Sequence, residues 1–204
     1  MKKISVGIVD YGVGNHNSVH HTLSHIGLRC RVSADKGILR ACDLLLLPGV
    51  GAFPPAMAAL KKKKLDRFLV DQAGSGKPIL GICLGMQLLG KNSSENGHTN
   101  GLGLIPGEVV QLGQGRWHIG WNIITKKKTD PLFEPAYKQN FYFNHSYSFK
   151  PKGEFVKCIA KFKGKKIASA VRVNKVAGIQ FHPEKSQRAG HELLRSVIEG
   201  LCGA

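Results

Sequence analysis

The chain has 204 residues, with 30 basic and 13 acidic side chains and a formal net charge of +17. This length suits one domain over residues 1–204, large enough to bury a core without disulfides or metals. The five scattered cysteines match neither a disulfide framework nor a zinc site, and no stretch has the pattern of a membrane span or a secretory signal. We therefore expect a cytoplasmic protein with no membrane partner.

The lysine-rich segments 61–64, 126–128 and 161–166 carry much of the positive charge. They are dispersed, and they lack the succession of aromatic side chains on which nucleic-acid bases stack. We therefore expect a solvated basic surface and no nucleic-acid partner. An acidic protein partner or a phosphorylated metabolite explains the sign of the charge equally well.

The chain begins with an apolar run at residues 4–9, which predicts the first buried strand of a parallel sheet. The loop 10–15 (DYGVGN) and a helix from about residue 17 to 24 follow. The loop lacks the third glycine of a dinucleotide-binding fingerprint, so no such cofactor is expected. The histidine pairs His16/His20 and His21/His25 have no carboxylate or cysteine ligand close by, which favours exposed helix positions over a metal site.

Further strands are predicted at residues 29–33 and 43–47, the latter a leucine run that should be central. Gly49, Val50 and Gly51 follow at its carboxyl end, where open α/β sheets bind ligands. Glycines there allow backbone N–H groups to face a developing oxyanion. A simple tight turn is the alternative.

Residues 79–87 (ILGICLGMQ) predict a short strand that runs into a helix, with Cys83 at the bend. Gly81 and Gly85 flank the cysteine, as in a nucleophile elbow with sulfur in place of oxygen. A helix N-terminus stabilises a thiolate through its free N–H groups. A buried cysteine that acts as a small apolar residue is the alternative.

A histidine and a carboxylate follow a second apolar run in residues 178–186 (GIQFHPEKS). On an extended backbone, residues i and i+2 share a face, so Glu184 can hold one nitrogen of His182 while the other faces Cys83. A nucleophile, a base and an orienting group are what thiol acyl chemistry requires.

The second half of the chain predicts short strands at residues 108–112, 119–124, 141–147, 156–162, 167–173 and 176–181. An amphipathic helix at 187–200 closes the chain. We therefore predict an α/β fold, with a mostly parallel central sheet flanked by helices and an antiparallel extension.

Together, the segments 10–15, 47–53, 81–87, 120–122, 145–147 and 180–186 resemble the class I (triad) glutamine amidotransferases, which have a flavodoxin-like fold. More narrowly, they resemble the glutaminase subunits of imidazole glycerol phosphate synthase. The resemblance implies hydrolysis of L-glutamine by Cys83, His182 and Glu184, with no metal or other cofactor.

The resemblance also implies roles for residues outside this triad. It assigns the oxyanion site to Gly49, Val50, Gly51 and Leu84, with the Val50 and Leu84 amides as donors. It assigns substrate binding to Gln87, Glu95, His145, Ser146 and Tyr147, and the partner interface to Asn15, Trp121 and Asn122.

The partner implied by the resemblance is a (β/α)8 cyclase subunit in a heterodimer. It uses the ammonia to make imidazole glycerol phosphate and aminoimidazole carboxamide ribotide in histidine biosynthesis. Residues 116–119 (RWHI) lack the family's proline, and Gly90-Lys91 replaces an aromatic and acidic pair. Two alternatives stay open: a paralogous subunit that supplies ammonia for nucleotide-sugar amidation in surface polysaccharide synthesis, and a non-catalytic binding module of the same fold.

Overall fold

The computed structural model describes residues 4–203, and its strands and helices follow the order predicted from the apolar segments. The strands are β1 (Ser5–Val9), β2 (Arg29–Ser33), β3 (Leu44–Leu47), β4 (Ile79–Ile82), β5 (Asn92–Ser93), β6 (Thr99–Asn100), β7 (Gly107–Gln111), β8 (His118–Lys126), β9 (Asn140–His145), β10 (Tyr147–Pro151), β11 (Val156–Phe162), β12 (Lys165–Val173) and β13 (Val176–Ile179). The α-helices are α1 (His16–His25), α2 (Lys36–Ala41), α3 (Phe53–Lys62), α4 (Leu65–Gly74), α5 (Leu84–Leu88) and α6 (Gln187–Cys202). Short 3₁₀ helices occupy Pro131–Ala136, Gly153–Phe155 and Pro183–Lys185.

A nine-stranded sheet with the order β2-β1-β3-β4-β13-β12-β11-β8-β9 forms the centre of the molecule. Strands β2, β1, β3, β4 and β13 are parallel, whereas β12, β11, β8 and β9 add on by antiparallel pairing. This topology confirms the predicted α/β fold with its antiparallel extension. Of the helices in the described part of the chain, none is both long and apolar enough to span a bilayer.

The leucine run of β3 shows why the sheet is covered on both faces. Leu44 and Leu46 point into a core shared with α1 and α6, and Leu45 and Leu47 point into a second core shared with α3, α4 and α5. Side chains of a strand alternate between faces, so a strand that is apolar at every position has to be buried on both. Cys83 and His182 follow the central strands β4 and β13, so both lie at the carboxyl ends of the parallel strands.

Helix α2 is absent from the sequence prediction. Its N-cap, Asp35, accepts a hydrogen bond from the backbone N–H of Ile38 at 2.8 Å. Six residues are too few to show a helical period, and this is why the apolar pattern did not reveal the helix.

The predicted strand at 141–147 is in fact two strands that belong to different sheets. Strand β9 ends at His145 beside β8, while β10 begins at Tyr147 and pairs with β7 in a four-stranded sheet, β10-β7-β5-β6. A continuous alternation of side chains carries no sign of a change of partner strand. The change occurs at Ser146, and it places His145 and Tyr147 beside the same cavity.

Candidate active site

Cys83 lies at a sharp turn between β4 and α5, with φ 54° and ψ −112°. A Cβ atom at Gly81 would lie 2.5 Å from the Gly85 carbonyl oxygen, and one at Gly85 would overlap the carbonyl of Leu47. Only glycine fits at either position, because strand and helix backbones approach so closely. The structure thus shows the elbow that the spacing of the two glycines predicts.

His182 follows β13, the strand that pairs directly with β4. Its backbone N–H donates to the carbonyl of Tyr142 at 2.8 Å, and its Nδ1–H donates to Glu184 Oε1 at 2.8 Å. The two side chains meet through the 3₁₀ turn of Pro183–Lys185, and not along the extended backbone that the sequence predicts. With Nδ1 bound to the carboxylate, Nε2 is the nitrogen left to serve Cys83.

The electrostatics around His182 favour its protonated form. Burial by itself would lower the pKa of His182, but the charge and hydrogen bond of Cys83 and those of Glu184 outweigh it and raise the pKa to about 10. Glu184 Oε2 is buried and accepts no hydrogen bond from residues 4–203, so the imidazolium is the principal partner of this carboxylate. A positive imidazole next to the sulfur stabilises the thiolate, which is the nucleophilic form.

The loop after β3 packs on the elbow. Tyr11 Oη donates to the Pro48 carbonyl at 2.7 Å, and a Cβ at Gly49 would lie 2.8 Å from the Gly85 nitrogen. The backbone at Gly49 therefore packs directly on the elbow, whereas Val50 and Gly51 line the cavity beside Cys83.

A cavity of about 350 Å³ opens over the sulfur. Residues from both halves of the chain line this cavity, and they include every residue predicted to bind substrate. Its lining comprises Val50, Gly51, Ala52, Cys83, Leu84, Gln87, Glu95, Trp117, Asn144, His145, Ser146, Tyr147, His182 and Lys185.

Two predicted substrate-binding residues are held by hydrogen bonds within the protein. Glu95 Oε2 accepts from the backbone N–H of Phe53 at 2.8 Å, at the start of α3. Gln87 Nε2 donates to the Tyr147 carbonyl at 2.9 Å and to Gln180 Oε1 at 3.1 Å. Both side chains are thus oriented before any ligand enters.

Four residues near the sulfur were not singled out by the sequence. Trp117, Asn144 and Lys185 line the cavity, and the Trp117 indole N–H donates to Asn144 Oδ1 at 2.8 Å. Gln180 is fully buried, and its Nε2 lies 3.9 Å from Cys83 Sγ. Asn144, Gln180 and Lys185 lie within or beside recognised motifs, and this proximity was the available signal.

The residues predicted at the partner interface occupy different settings. Asn15 is the N-cap residue of α1, and Trp121 is 52% exposed on β8. The side chain of Asn122 points inward, where Nδ2 donates to the Lys161 carbonyl at 2.8 Å and to His118 at 3.1 Å.

Comparison with known proteins agrees with this geometry. The family model described as glutamine amidotransferase class-I matches residues 7–199. The chain is 40% identical, over 94% of each chain, to imidazole glycerol phosphate synthase subunit HisH of Listeria monocytogenes serotype 4b (strain CLIP80459). It is also 40% identical to the subunit of that name from Chlorobaculum tepidum, over 95% of this chain and 99% of that one.

Among solved structures, the one titled Structure of PurLQS from Thermotoga maritima superposes with a TM-score of 0.78 at 20% identity, over 98% of this chain and 100% of that chain. A likeness at this identity supports the fold, while the matched family model extends over both halves of the site. The chain therefore belongs to the class I glutamine amidotransferase family.

Proposed function

We propose that this protein is the glutaminase subunit of an imidazole glycerol phosphate synthase and releases ammonia from L-glutamine. The observation that carries the proposal is the buried His182, which bonds to the Glu184 carboxylate and lines the cavity beside Cys83. The relatives that bear the synthase subunit's name match nearly the whole chain.

The reaction proceeds in two steps at the sulfur. The Cys83 thiolate attacks the side-chain amide carbon of glutamine, and the protonated His182 gives its proton to the departing nitrogen, so ammonia leaves and a thioester remains. His182 then takes a proton from water, whose oxygen attacks the thioester carbon, and glutamate leaves as the thiolate returns. Glu184 keeps the imidazole oriented through both steps.

The negative oxygen formed in each step needs N–H donors. We propose the amides of Val50 and Leu84, because both residues line the cavity beside Cys83. Gly51 has φ +97°, a conformation that a residue with a Cβ rarely adopts, so the loop geometry depends on glycine there. Glu95 and Tyr147 stand on other walls of the cavity, where they can hold the amino acid end of the substrate.

A stripe of exposed apolar side chains supports a partner subunit. Ile119, Trp121 and Ile123 alternate along β8 on one face, and Trp117 directly precedes the strand. Each of the four is more than half exposed, and together we call them the partner face. Large contiguous apolar surface is characteristic of an interface, and Trp117 links this partner face to the cavity lining. We propose that the partner face binds a (β/α)8 cyclase subunit, which receives the ammonia directly from this active site.

The setting of the proposed enzyme is the reducing cytoplasm. All five cysteines are free thiols, and the nucleophile among them needs to stay reduced.

The first experiment measures glutamate release by the chain alone and with the cyclase subunit of the same organism, with and without the cyclase's nucleotide ligand. We expect strong stimulation in the presence of both. Glutamate release without stimulation would leave the glutaminase standing but assign it to another synthase, such as one that amidates a nucleotide sugar. No glutamate under any condition would contradict the proposal and favour a binding module.

The partner face has its own test in the variant Trp121→Ala. Loss of a large aromatic anchor at an interface weakens binding by about 2 kcal/mol, or roughly 30-fold in Kd. Isothermal titration calorimetry with the cyclase subunit measures this change in Kd. Val70→Ala, which trims an exposed valine on α4, is the matched control and should leave Kd unchanged; equal Kd values for both variants would remove Trp121 from the interface.

A further inference from the structure

An unbroken series of hydrogen bonds joins strand β8 to the sulfur of Cys83. We call it the polar chain, and its members are Asn122, His118, His145, the carbonyl of Tyr147, Gln87 and Gln180. On the histidine side, Asn122 Nδ2 lies 3.1 Å from His118 Nε2, and His118 Nδ1 lies 3.1 Å from His145 Nε2. The Tyr147 oxygen lies 2.7 Å from His145 Nδ1 and 2.9 Å from Gln87 Nε2. On the cysteine side, Gln87 Nε2 lies 3.1 Å from Gln180 Oε1, and Gln180 Nε2 lies 3.9 Å from Cys83 Sγ.

The directions of these hydrogen bonds follow from the two carbonyl groups that the chain contacts. The Tyr147 carbonyl can only accept, so His145 Nδ1 carries a proton. Burial lowers the pKa of His145 to about 3, so its Nε2 is a bare acceptor. That acceptor requires a donor, and within residues 4–203 its hydrogen-bond partner is His118 Nδ1, which therefore carries a proton.

The same reasoning applies to the next ring. Burial lowers the pKa of His118 to about 4, and its Nε2 accordingly accepts from Asn122. The Lys161 carbonyl accepts the second N–H of this amide at 2.8 Å, which decides the orientation of Asn122. Each donor therefore meets an acceptor, and one consistent set of proton positions exists for the two imidazoles.

The far end of the polar chain acts on the catalytic groups. The Tyr147 oxygen accepts from both His145 and Gln87, so it fixes which end of the Gln87 amide faces Gln180. The Gln180 oxygen is thereby directed to Gln87, and its N–H is directed to the sulfur. A single reversed amide or tautomer would place two donors or two acceptors face to face.

We propose that His118 is a positioning residue for glutamine hydrolysis. Its Nδ1–H donates to His145 Nε2 and so keeps the His145 Nδ1–H on the Tyr147 carbonyl. That hydrogen bond holds the carbonyl oxygen where it accepts from Gln87, which orients the amides beside Cys83. This inference rests on the proposed glutaminase function and adds a residue, 3% exposed, that does not line the cavity.

The proton positions are measurable without any activity assay. Long-range ¹H–¹⁵N spectra of the full chain, labelled at its histidine rings, distinguish the two neutral tautomers, and the variants His118→Phe and His145→Phe assign the signals. We expect both rings to be neutral at about pH 7 with the proton on Nδ1. A proton on Nε2 of either ring, or a doubly protonated ring, overturns the proposal.

A pair of variants separates positioning from packing. The ring of His118 stacks on Phe143 and Phe162, with centroids 4.3 and 4.5 Å away. His118→Phe keeps this packing but loses both hydrogen bonds, and we expect kcat for glutamine hydrolysis in the cyclase complex to fall roughly tenfold. His118→Asn loses the stacking but keeps an N–H near the position of Nδ1, so kcat should stay within roughly threefold of the unaltered protein.

Thermal unfolding of the same variants should rank them in the opposite order, with His118→Phe the more stable of the two. If the more stable variant also had the higher kcat, the ring of His118 would serve only for packing, and the proposal would be wrong. His98→Phe is the control, because His98 is exposed and its side chain bonds to Asn100, away from the polar chain. The kcat of this variant should equal that of the unaltered protein.

The failure of this inference can be told from the failure of the proposed function. Absence of glutamate release by the unaltered protein contradicts the glutaminase itself, and the tautomer spectra still decide the polar chain. Normal glutamate release with equal kcat in His118→Phe leaves the glutaminase intact and overturns the positioning role.

Discussion

Two buried imidazoles that line the same cavity have opposite protonation. His182 and His145 are 3% and 4% exposed, yet the pKa of His182 is raised to about 10 and that of His145 is lowered to about 3. Burial lowers both pKa values, since it disfavours the charged ring. The difference comes from the neighbours: Cys83 and Glu184 beside His182, and a carbonyl and a neutral imidazole beside His145.

The two rings show how one cavity gives the same residue type a charged form and a neutral form. His182 follows the parallel strand β13, next to the nucleophile, whereas His145 ends the antiparallel strand β9. A charged ring can deliver a proton to a leaving group, and a ring held neutral can only hold neighbours in place. The predictions below alter the charges around the first ring and then the neutral surroundings of the second.

The largest effect is expected from Cys83→Ala. Without the sulfur no thioester forms, so glutamate release should fall by roughly 10⁴-fold or more. The pKa of His182, followed by NMR, should fall as well because its strongest stabilising neighbour is gone, while His145 stays neutral. Cys30→Ala, at a half-buried thiol on β2, is the control with retained activity; substantial glutamate release by the Cys83 variant would contradict the mechanism.

A smaller loss is expected from Glu184→Gln. The amide oxygen can still accept from His182 Nδ1–H, but the negative charge is removed, so the pKa of His182 falls and the imidazolium is less available. We expect kcat/KM to drop by on the order of 10²- to 10³-fold. Glu192→Gln, at an exposed carboxylate of α6 paired with Arg188, should have unaltered kinetics; similar kinetics for both variants would show that the charge of Glu184 is not needed.

The third prediction concerns how the stability of the folded protein depends on pH. His145 and His118 have lowered pKa values in the folded protein, so below their ordinary value of 6.5 the unfolded chain binds more protons than the folded one. The free energy of unfolding should therefore decrease as the pH falls from about 6.5 to about 4, by up to about 1.4 kcal/mol per pH unit for each ring.

Urea unfolding at several pH values measures this slope, and His118→Phe provides the comparison. The variant lacks one of the two titrating rings, so its slope should be shallower than that of the unaltered protein over the same range. Equal slopes would show that His118 titrates normally in the folded state. His145 would then be the one ring of this pair with a lowered pKa, in contrast to the raised pKa of His182.

The reactive groups were readable from the sequence because their geometry is encoded locally. Gly81 and Gly85 predict the elbow at Cys83, since only glycine permits the close approach of backbones there. His182 and Glu184 are two residues apart, so their contact needed no knowledge of the rest of the fold. The turn that joins them is 3₁₀ and not extended, yet either backbone allows the pair to meet.

The polar chain, in contrast, was out of reach of the sequence. His118 meets His145 because β8 and β9 pair in one register, and Tyr147 meets Gln87 because the chain changes sheets at Ser146. A shift of either strand by one residue would turn its histidine, His118 or His145, to the opposite face of the sheet.

By itself, the sequence determined the α/β fold, the order of most of its elements and the local settings of Cys83, His182 and Glu184, because apolar periodicity, glycine spacing and short-range pairing act over a few residues. Only the tertiary structure decided which polar groups share the cavity, where the apolar face of β8 is left exposed and which imidazole is charged. The physical reason is that burial and electrostatic neighbours are properties of contacts between distant segments. Two histidines with the same intrinsic chemistry acquire different roles only when the fold supplies different neighbours.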